Sequence, residues 1–347
     1  MQSTKIKKIS VFSMIPKNKN ISKKNILASI FIIFIIACIV AKPNLCINSI
    51  YGGLCVWAKC VLPSLFPFMF LTKLLTNLNF ISSLTSKFYK INSKLFNAPK
   101  ISSYIFLLSI ISGYPVGAKM ISEYHKMGII TTKQANKLCT FCSTSGPLFI
   151  VGSVGTAMFL SAKIGYILFL SHVVGSIFNG LLFRHFYIDK TENFEKFAKN
   201  NEKNTKKSQN LLAESMKDSI LSVLIVGGWI AVAFLVIDIF NDLKLFAPLC
   251  NLLKIFGANA ELSNATICGI FEVSNGSILL SQIAMPKIVT TTIASFLIGF
   301  GGLCVFLQAS SFLKEANVNT KFYLFQKFTH GILSAGITFL LCMIFGV

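Results

Sequence analysis

Acidic side chains are scarce in this chain. It has 12 aspartates and glutamates against 33 lysines and arginines over 347 residues, and Arg184 is the sole arginine. Charged residues of both signs make up only 13% of the sequence, about half of what covers a soluble domain of ordinary composition. That shortage excludes a water-soluble globule. The shortage of acids also excludes a two-carboxylate hydrolytic site, and no H-E-x-x-H, G-x-x-x-x-G-K-[ST] or G-x-S-x-G pattern occurs, so the common metalloprotease, nucleotide-loop and serine-hydrolase signatures are missing. No enzymatic activity is expected, and no metal site or cofactor beyond an undetermined coupling ion, a proton or sodium.

What is present is apolar. Hydrophobic residues make up 54% of the chain, 33 of them phenylalanine, and the mean hydropathy is +0.69. The net charge of +21 lies on lysines in the gaps between apolar runs, as topology determinants do, and not on one soluble face suited to nucleic acid. The expected class is an all-α polytopic integral membrane protein with about seven full spans. Most of the ten cysteines lie inside apolar runs, where thiols act as small hydrophobes. Cys139 and Cys142 form a C-x-x-C with neither a βαβ context nor a second ligand pair, and read as two small residues on one helical face.

Residues 1–25 hold seven lysines and no acid and read as a basic cytoplasmic tail. The run Ile26–Ala41 that follows fits a signal peptide or a retained helix of about 24 Å. A retained first transmembrane helix within 26–49 is the expectation. Ile50–Leu75 carries Pro63 and Pro67 and should be kinked. Ile101–Ile111 is apolar for only about half a membrane thickness and runs into Ser112-Gly113-Tyr114-Pro115-Val116-Gly117-Ala118-Lys119, so residues 101–137 read as a re-entrant hairpin. Leu138–Leu160 is interrupted by Cys142-Ser143-Thr144-Ser145-Gly146-Pro147, and Ile164–Phe186 is a clean span. A polar cytoplasmic loop covers 188–213. Further on, Ser219–Phe240 spans, 262–282 is broken at Glu272-Val273-Ser274-Asn275-Gly276, Ile288–Phe312 is broken at Gly299-Phe300-Gly301-Gly302, and Phe325–Val347 spans.

Three landmarks recur at nearly one offset: Gly117 and Gly276 are 159 residues apart, Gly146 and Gly301 are 155 apart, and His172 and His330 are 158 apart. They argue for two repeats, 50–187 and 214–347. With the N-terminus inside and both hairpins re-entrant, 26 of the 33 basic residues fall in inside segments, as the positive-inside rule requires. The first repeat then enters the membrane in the opposite sense to the second. Inverted repeats with one hairpin entering from each side are a transporter arrangement.

The candidate substrate-binding residues are those at the breaks: Ser112, Gly113, Tyr114, Gly117 and Lys119 in the first hairpin, Glu272, Ser274, Asn275 and Gly276 in the second, and Ser143, Thr144, Ser145, Gly146, Gly301, Gly302 and Gln308 in the interrupted spans. Unwound backbone frees N–H and C=O groups, and half-helix N-termini favour anions. Against this, any single glycine in a membrane helix more often serves packing. Glu272 and Asp238 are the acids within apolar segments. A carboxylate at the bilayer centre costs roughly 2.5–3.5 kcal/mol on insertion scales, so Glu272 is a candidate proton carrier or hydrogen-bond acceptor, and Asp238, near a helix end, reads as interfacial. His172 and His330 are candidates for proton coupling, against the commoner buried neutral imidazole. Lys119 reads equally as a substrate-facing cation or an anchor.

The motifs Ser112–Lys119, Phe141-Cys142-Ser143-Thr144-Ser145-Gly146-Pro147-Leu148-Phe149-Ile150, Gly269–Gly276 and Gly299–Gly302 resemble the YlbJ (SpoVV) family of sporulation integral membrane proteins, of the nucleoside-recognition or Gate-domain superfamily. The resemblance runs from the first helix to the C-terminus and is looser in the second half. It implies an architecture similar to concentrative nucleoside transporters. The implied role is export of dipicolinic acid from the mother cell across the outer forespore membrane, with the N-terminus on the mother-cell side. A planar aromatic dicarboxylate suits backbone N–H groups, Tyr114 or a Phe for stacking, and a lysine for charge. Arginine clamps are not available to this chain. Two other readings remain: a non-transporting membrane scaffold or complex subunit in spore-envelope assembly, with other sporulation membrane proteins or a second copy as partners, and a nucleoside-type transporter, which would want more neutral contacts than Glu272, Asn275 and Gln308.

Overall fold

The computed structural model describes residues 23–77, 89–189, 191 and 211–347, and there it is helical throughout. Residues 1–22 of the basic tail and most of the polar loop at 188–213 lie outside the described residues. Among the described residues, four helices or helix pairs are long and apolar enough to cross a membrane: Ala162–Leu182, Leu211–Asp242, Lys287–Glu315 and Thr320–Phe345. A bent pair, Asn25–Ala41 with Pro43–Val61, raises this to five. The expected seven therefore become four or five, for two physical reasons.

The first is at Pro43. Helix α1 (Lys23–Ala41) stops at Lys42, and α2 (Pro43–Val56) restarts with proline in its first turn, turned by 106°. Proline cannot continue the hydrogen-bond ladder but suits a helix start, so the expected helix within 26–49 is two pieces. Lys42 at the corner is ion-paired with Asp242. The second reason is at Pro147. The expected span Leu138–Leu160 is instead an irregular stretch followed by a π-helix, Leu148–Met158, of 11 residues, which is too short to cross alone.

The kink expected from Pro63 and Pro67 takes another form. The chain stays helical from α2 through α3 (Leu62–Asn77), with a π-helical turn, Trp57–Val61, directly before Pro63. A wider turn accommodates the carbonyls that proline leaves without a donor. The short α4 (Tyr89–Phe96) leads to α5 (Ser102–Ser112), α6 (Val116–Lys126) and α7 (Thr132–Leu138). Then come the π-helix, α8 (Ala162–Leu182), α9 (Leu211–Asp242), α10 (Ala247–Ile255), α11 (Ala260–Phe271), α12 (Val273–Gln282), α13 (Lys287–Phe300), α14 (Gly302–Glu315) and α15 (Thr320–Phe345). Cys139 and Cys142 lie beyond the C-terminus of α7, so they do not share a helical face; both are buried free thiols.

Two helix pairs sit where hairpins were expected. α5 and α6 pack on each other around a break at Gly113–Pro115, and α11 and α12 pack around Glu272. In the second pair the helices touch at glycine: a Cβ added at Gly276 would lie 2.2 Å from the Gly269 Cα. The two pairs interlock. α6 packs on α14, and α12 packs on the π-helix, so each pair rests on the element that follows the other's partner break. The apolar core follows the same exchange. The cluster around α5 and α6 takes in Ala309, Leu313 and Tyr323 from the C-terminal half. The cluster around α11 and α12 takes in Ile150, Val154 and Leu168 from the N-terminal half. Together these contacts bring the breaks to one place.

Candidate functional site

The breaks converge on a central cavity of about 60 Å³ whose lining includes Ser112, Gly113, Tyr114, Ser145, Gly146, Glu272, Ser274, Gly301 and Gln308. All nine are sequence candidates. Apolar walls come from Val61, Leu65, Phe149, Val226, Ile230 and Ile298.

Glycine is required at two points of this wall. Gly113 ends α5 with φ of +72°, and a Cβ there would stand 2.5 Å from the Gly146 nitrogen. Two unwound backbones thus meet at van der Waals distance, which a side chain would prevent. Gly301 joins α13 to α14 with φ of +86°, and its N–H donates to the Leu297 carbonyl at 2.8 Å.

Glu272 is buried and lines the cavity, but its carboxylate is already engaged. It is the N-cap of α12: Oε1 accepts from the Ser274 N–H at 3.0 Å and Oε2 from the Asn275 N–H at 2.7 Å. A carboxylate at a helix N-terminus satisfies orphan donors and opposes the helix dipole. The same bonds occupy the two N–H groups that the second hairpin was expected to offer an anion.

The irregular stretch before the π-helix, which meets the first break at Gly146, is satisfied differently. Ser145 donates its backbone N–H to His172 Nε2 at 2.8 Å. Thr144 Oγ1 donates to Ser109 Oγ at 3.1 Å, and the Ser143 hydroxyl lies 2.7 Å from the Tyr323 hydroxyl. Ser143 and Thr144 therefore support the break from behind the cavity wall. Gly117 also packs behind it, where a Cβ would fall 1.9 Å from the Cys142 carbonyl oxygen. Lys119 points away: it is exposed and pairs with Glu123 at 3.9 Å, one turn along α6. Gly276 packs on Gly269, and Asn275 lines a separate cavity.

The cation behind the cavity is one that sequence reading missed. Lys327 of α15 is 3% exposed, and its ammonium hydrogen-bonds the Tyr114 hydroxyl. It also donates to the Ser143 carbonyl at 2.9 Å and stands 3.4 Å from His330 Nδ1 and 4.7 Å from the Tyr114 ring centroid. Three acceptors match the three N–H bonds of an ammonium. All are neutral, and among the described residues no carboxylate lies within ion-pair distance of Lys327. The available signal was periodicity: Lys327 falls three residues before His330, on the same face of a helix.

The two histidines meet, with ring centroids 4.6 Å apart. Their hydrogen bonds assign the tautomers. His330 Nε2 faces the His172 carbonyl at 3.0 Å and must donate, leaving Nδ1 to accept from Lys327. His172 Nε2 accepts from Ser145, so its proton sits on Nδ1, which is buried with no partner among the described residues. Both rings serve as neutral imidazoles that hold α8, α15 and the first break together. Among the described residues no group of three His, Cys, Asp or Glu could hold a metal ion.

Comparison with known proteins gives one informative match. The sporulation integral membrane protein YlbJ of Bacillus subtilis (strain 168) is 27% identical over 349 residues, covering 93% of this chain and 84% of the relative. No family model and no solved structure matches the chain.

Proposed function

The chain is a homologue of a sporulation integral membrane protein, and from that premise we propose that it is a membrane transporter for a small organic anion. Dipicolinate is the proposed substrate, exported from the mother cell across the outer forespore membrane. The Gate-domain and inverted-repeat readings belong to the same proposal, with the α5–α6 and α11–α12 pairs as the two re-entrant hairpins and the central cavity as the substrate chamber.

The observation that carries this reading is Lys327. A buried ammonium with only neutral partners lacks the counter-charge that burial normally demands. Tyr114 carries its field to the cavity wall. An anion in the chamber completes the pair, and the Tyr114 ring offers a face for an aromatic one. Glu272, which lines the same cavity, repels a dianion across a low-dielectric gap. Substrate entry accompanied by a proton at Glu272 removes that repulsion, which makes the flux proton-linked. Alternating access requires the tips to part and close around the substrate.

Labelled dipicolinate uptake into proteoliposomes, with and without imposed proton and sodium gradients, tests the proposal. Saturable uptake by the wild type and none by Lys327→Met is the expected result. Protein that moves no dipicolinate, yet co-purifies stoichiometrically with other sporulation membrane proteins, replaces this reading with that of a scaffold.

A further inference from the structure

A second, larger cavity of about 310 Å³ lies between α2, α9 and the α11–α12 pair, apart from the central one. Its polar wall is Asn48 and Ser49 from α2, Asp238 and Asn241 from α9, Asn264 from α11 and Asn275 from α12. No lysine, arginine or histidine lines it. One carboxylate, four carboxamides and a hydroxyl are an oxygen-rich set with a single negative charge.

Asn264 Oδ1 accepts a weak contact from the Cys268 thiol at 3.7 Å, and the hydrogen bonds leave the rest of that oxygen available. Asp238 makes no hydrogen bond or ion pair among the described residues, and the lysine at this end of α9, Lys42, is already paired with Asp242. Ser49 donates its hydroxyl proton to the Leu45 carbonyl at 2.8 Å, which turns its lone pairs outward. Asn241 spends its Nδ2 on a weak contact to Cys268 Sγ at 3.7 Å, so its carbonyl oxygen is the unengaged end. Asn275 is buried, yet its carboxamide has no partner among the described residues. Buried polar groups normally have one.

We propose that this cavity binds a small inorganic monovalent cation, held by Asp238 together with carboxamide oxygens of the surrounding asparagines. Hard cations take oxygen ligands, and one carboxylate among neutral oxygens matches a single charge better than the several carboxylates of calcium sites. The volume exceeds a bare ion, so the cation enters with part of its water shell. The location gives it a consequence for the central cavity. Asn275 lines this second cavity while its backbone N–H donates to Glu272, which lines the first. A cation that fixes Asn275 thereby fixes the start of α12, and the effect is reciprocal. This coupling rests on the transport reading; the cation site itself does not.

Unfolding of the full-length protein in detergent, followed by fluorescence of Trp57 and Trp229, tests the site in sodium, potassium or N-methyl-D-glucamine chloride at constant ionic strength. The expected result is a saturable rise in Tm with sodium or potassium and none with the bulky organic cation. Half-saturation should weaken by about ten-fold or more in Asp238→Asn and in Asn275→Ala, while the charge-matched control Glu261→Gln keeps the wild-type value. Equal Tm in all three salts, or wild-type half-saturation in Asp238→Asn, overturns the proposal. Cation-dependent stabilisation without dipicolinate uptake leaves the site standing and removes the transport reading; uptake without the stabilisation does the reverse.

Discussion

The two helix breaks that meet at the central cavity solve one problem by opposite means. Each must satisfy backbone donors that an unwound segment exposes. The α11–α12 break does so locally, with the carboxylate of Glu272 closing on the N–H groups of the next two residues of its own chain segment but one, Ser274 and Asn275. The stretch between α7 and the π-helix, which closes on the α5–α6 break where Gly146 meets Gly113, borrows from elsewhere: it leans on His172, Tyr323 and Lys327. A self-capped break keeps its bonds when it moves as a unit. A break that depends on α8 and α15 loses them if those helices part from it, so its polar groups report on the relative position of three elements. On the transport proposal, anion sensing falls to the first tip and the negatively charged wall to the second.

The hardest blow to that contrast is Lys327→Met. It removes the cation behind the first tip and leaves the Tyr114 hydroxyl and Ser143 carbonyl short of a donor, each at a cost of about 1–3 kcal/mol. Dipicolinate uptake in proteoliposomes should fall to the level of empty vesicles, with a lowered Tm in detergent. If uptake persists at the wild-type rate, the first tip is not where charge is read. Next in size is Gly113→Ala, which combines a left-handed φ with a 2.5 Å approach to the Gly146 nitrogen. A loss of about 1–3 kcal/mol is expected, measured by chemical or thermal unfolding. Glu272→Gln should cost less, about 1 kcal/mol, because an amide oxygen still caps one N–H. It also neutralises the second wall, so uptake should lose its dependence on an imposed proton gradient. A retained dependence would separate the two tips from proton linkage altogether.

Much of this arrangement was legible in the residues. Clusters of glycine, proline and small polar residues at half-span depth located the breaks, because glycine and proline weaken or interrupt the helical hydrogen-bond ladder. Nine of the candidates chosen that way line one cavity. What sequence could not supply was direction. Lys119 and Lys327 are both lysines beside an apolar helix, yet one is exposed and the other 3% exposed. Only the packing of α15 against α8 and the first break separates them. Glu272 was singled out by its cost of burial, but the offset of that cost by α12 depends on the helix starting at the very next residue. Asp238 and the asparagines around the second cavity are spread over four helices, so no spacing in the chain announces them.

The smallest expected effect lies at the base of the first pair, where it sharpens the contrast without touching either tip. Thr131 opens α7 with a capping box, accepting from the Gln134 N–H while the Gln134 side chain accepts from Thr131. Its hydroxyl also donates to Asp189 Oδ2 at 2.7 Å, and Gln134 Nε2 donates to the Thr191 carbonyl at 2.6 Å. The Thr131 hydroxyl, and then the Thr191 N–H, hold the Asp189 carboxyl below its ordinary value. A carboxylate lowered on folding contributes stability above its unfolded value of about 3.9, and that contribution disappears as pH falls through the folded value. Asp189 is partly solvated, so screening keeps the contribution under about 1 kcal/mol. Wild-type Tm should therefore fall more steeply than that of Asp189→Asn as pH drops from about 5 to about 3, with the two curves parallel above that window. Since α7 joins α6 to the irregular stretch before Gly146, loosening this clamp should slow uptake slightly at neutral pH in Asp189→Asn and leave the Glu272 cap untouched. A variant whose acid limb coincides with wild type would show that the clamp carries no load, and that the first pair is held by its tip alone.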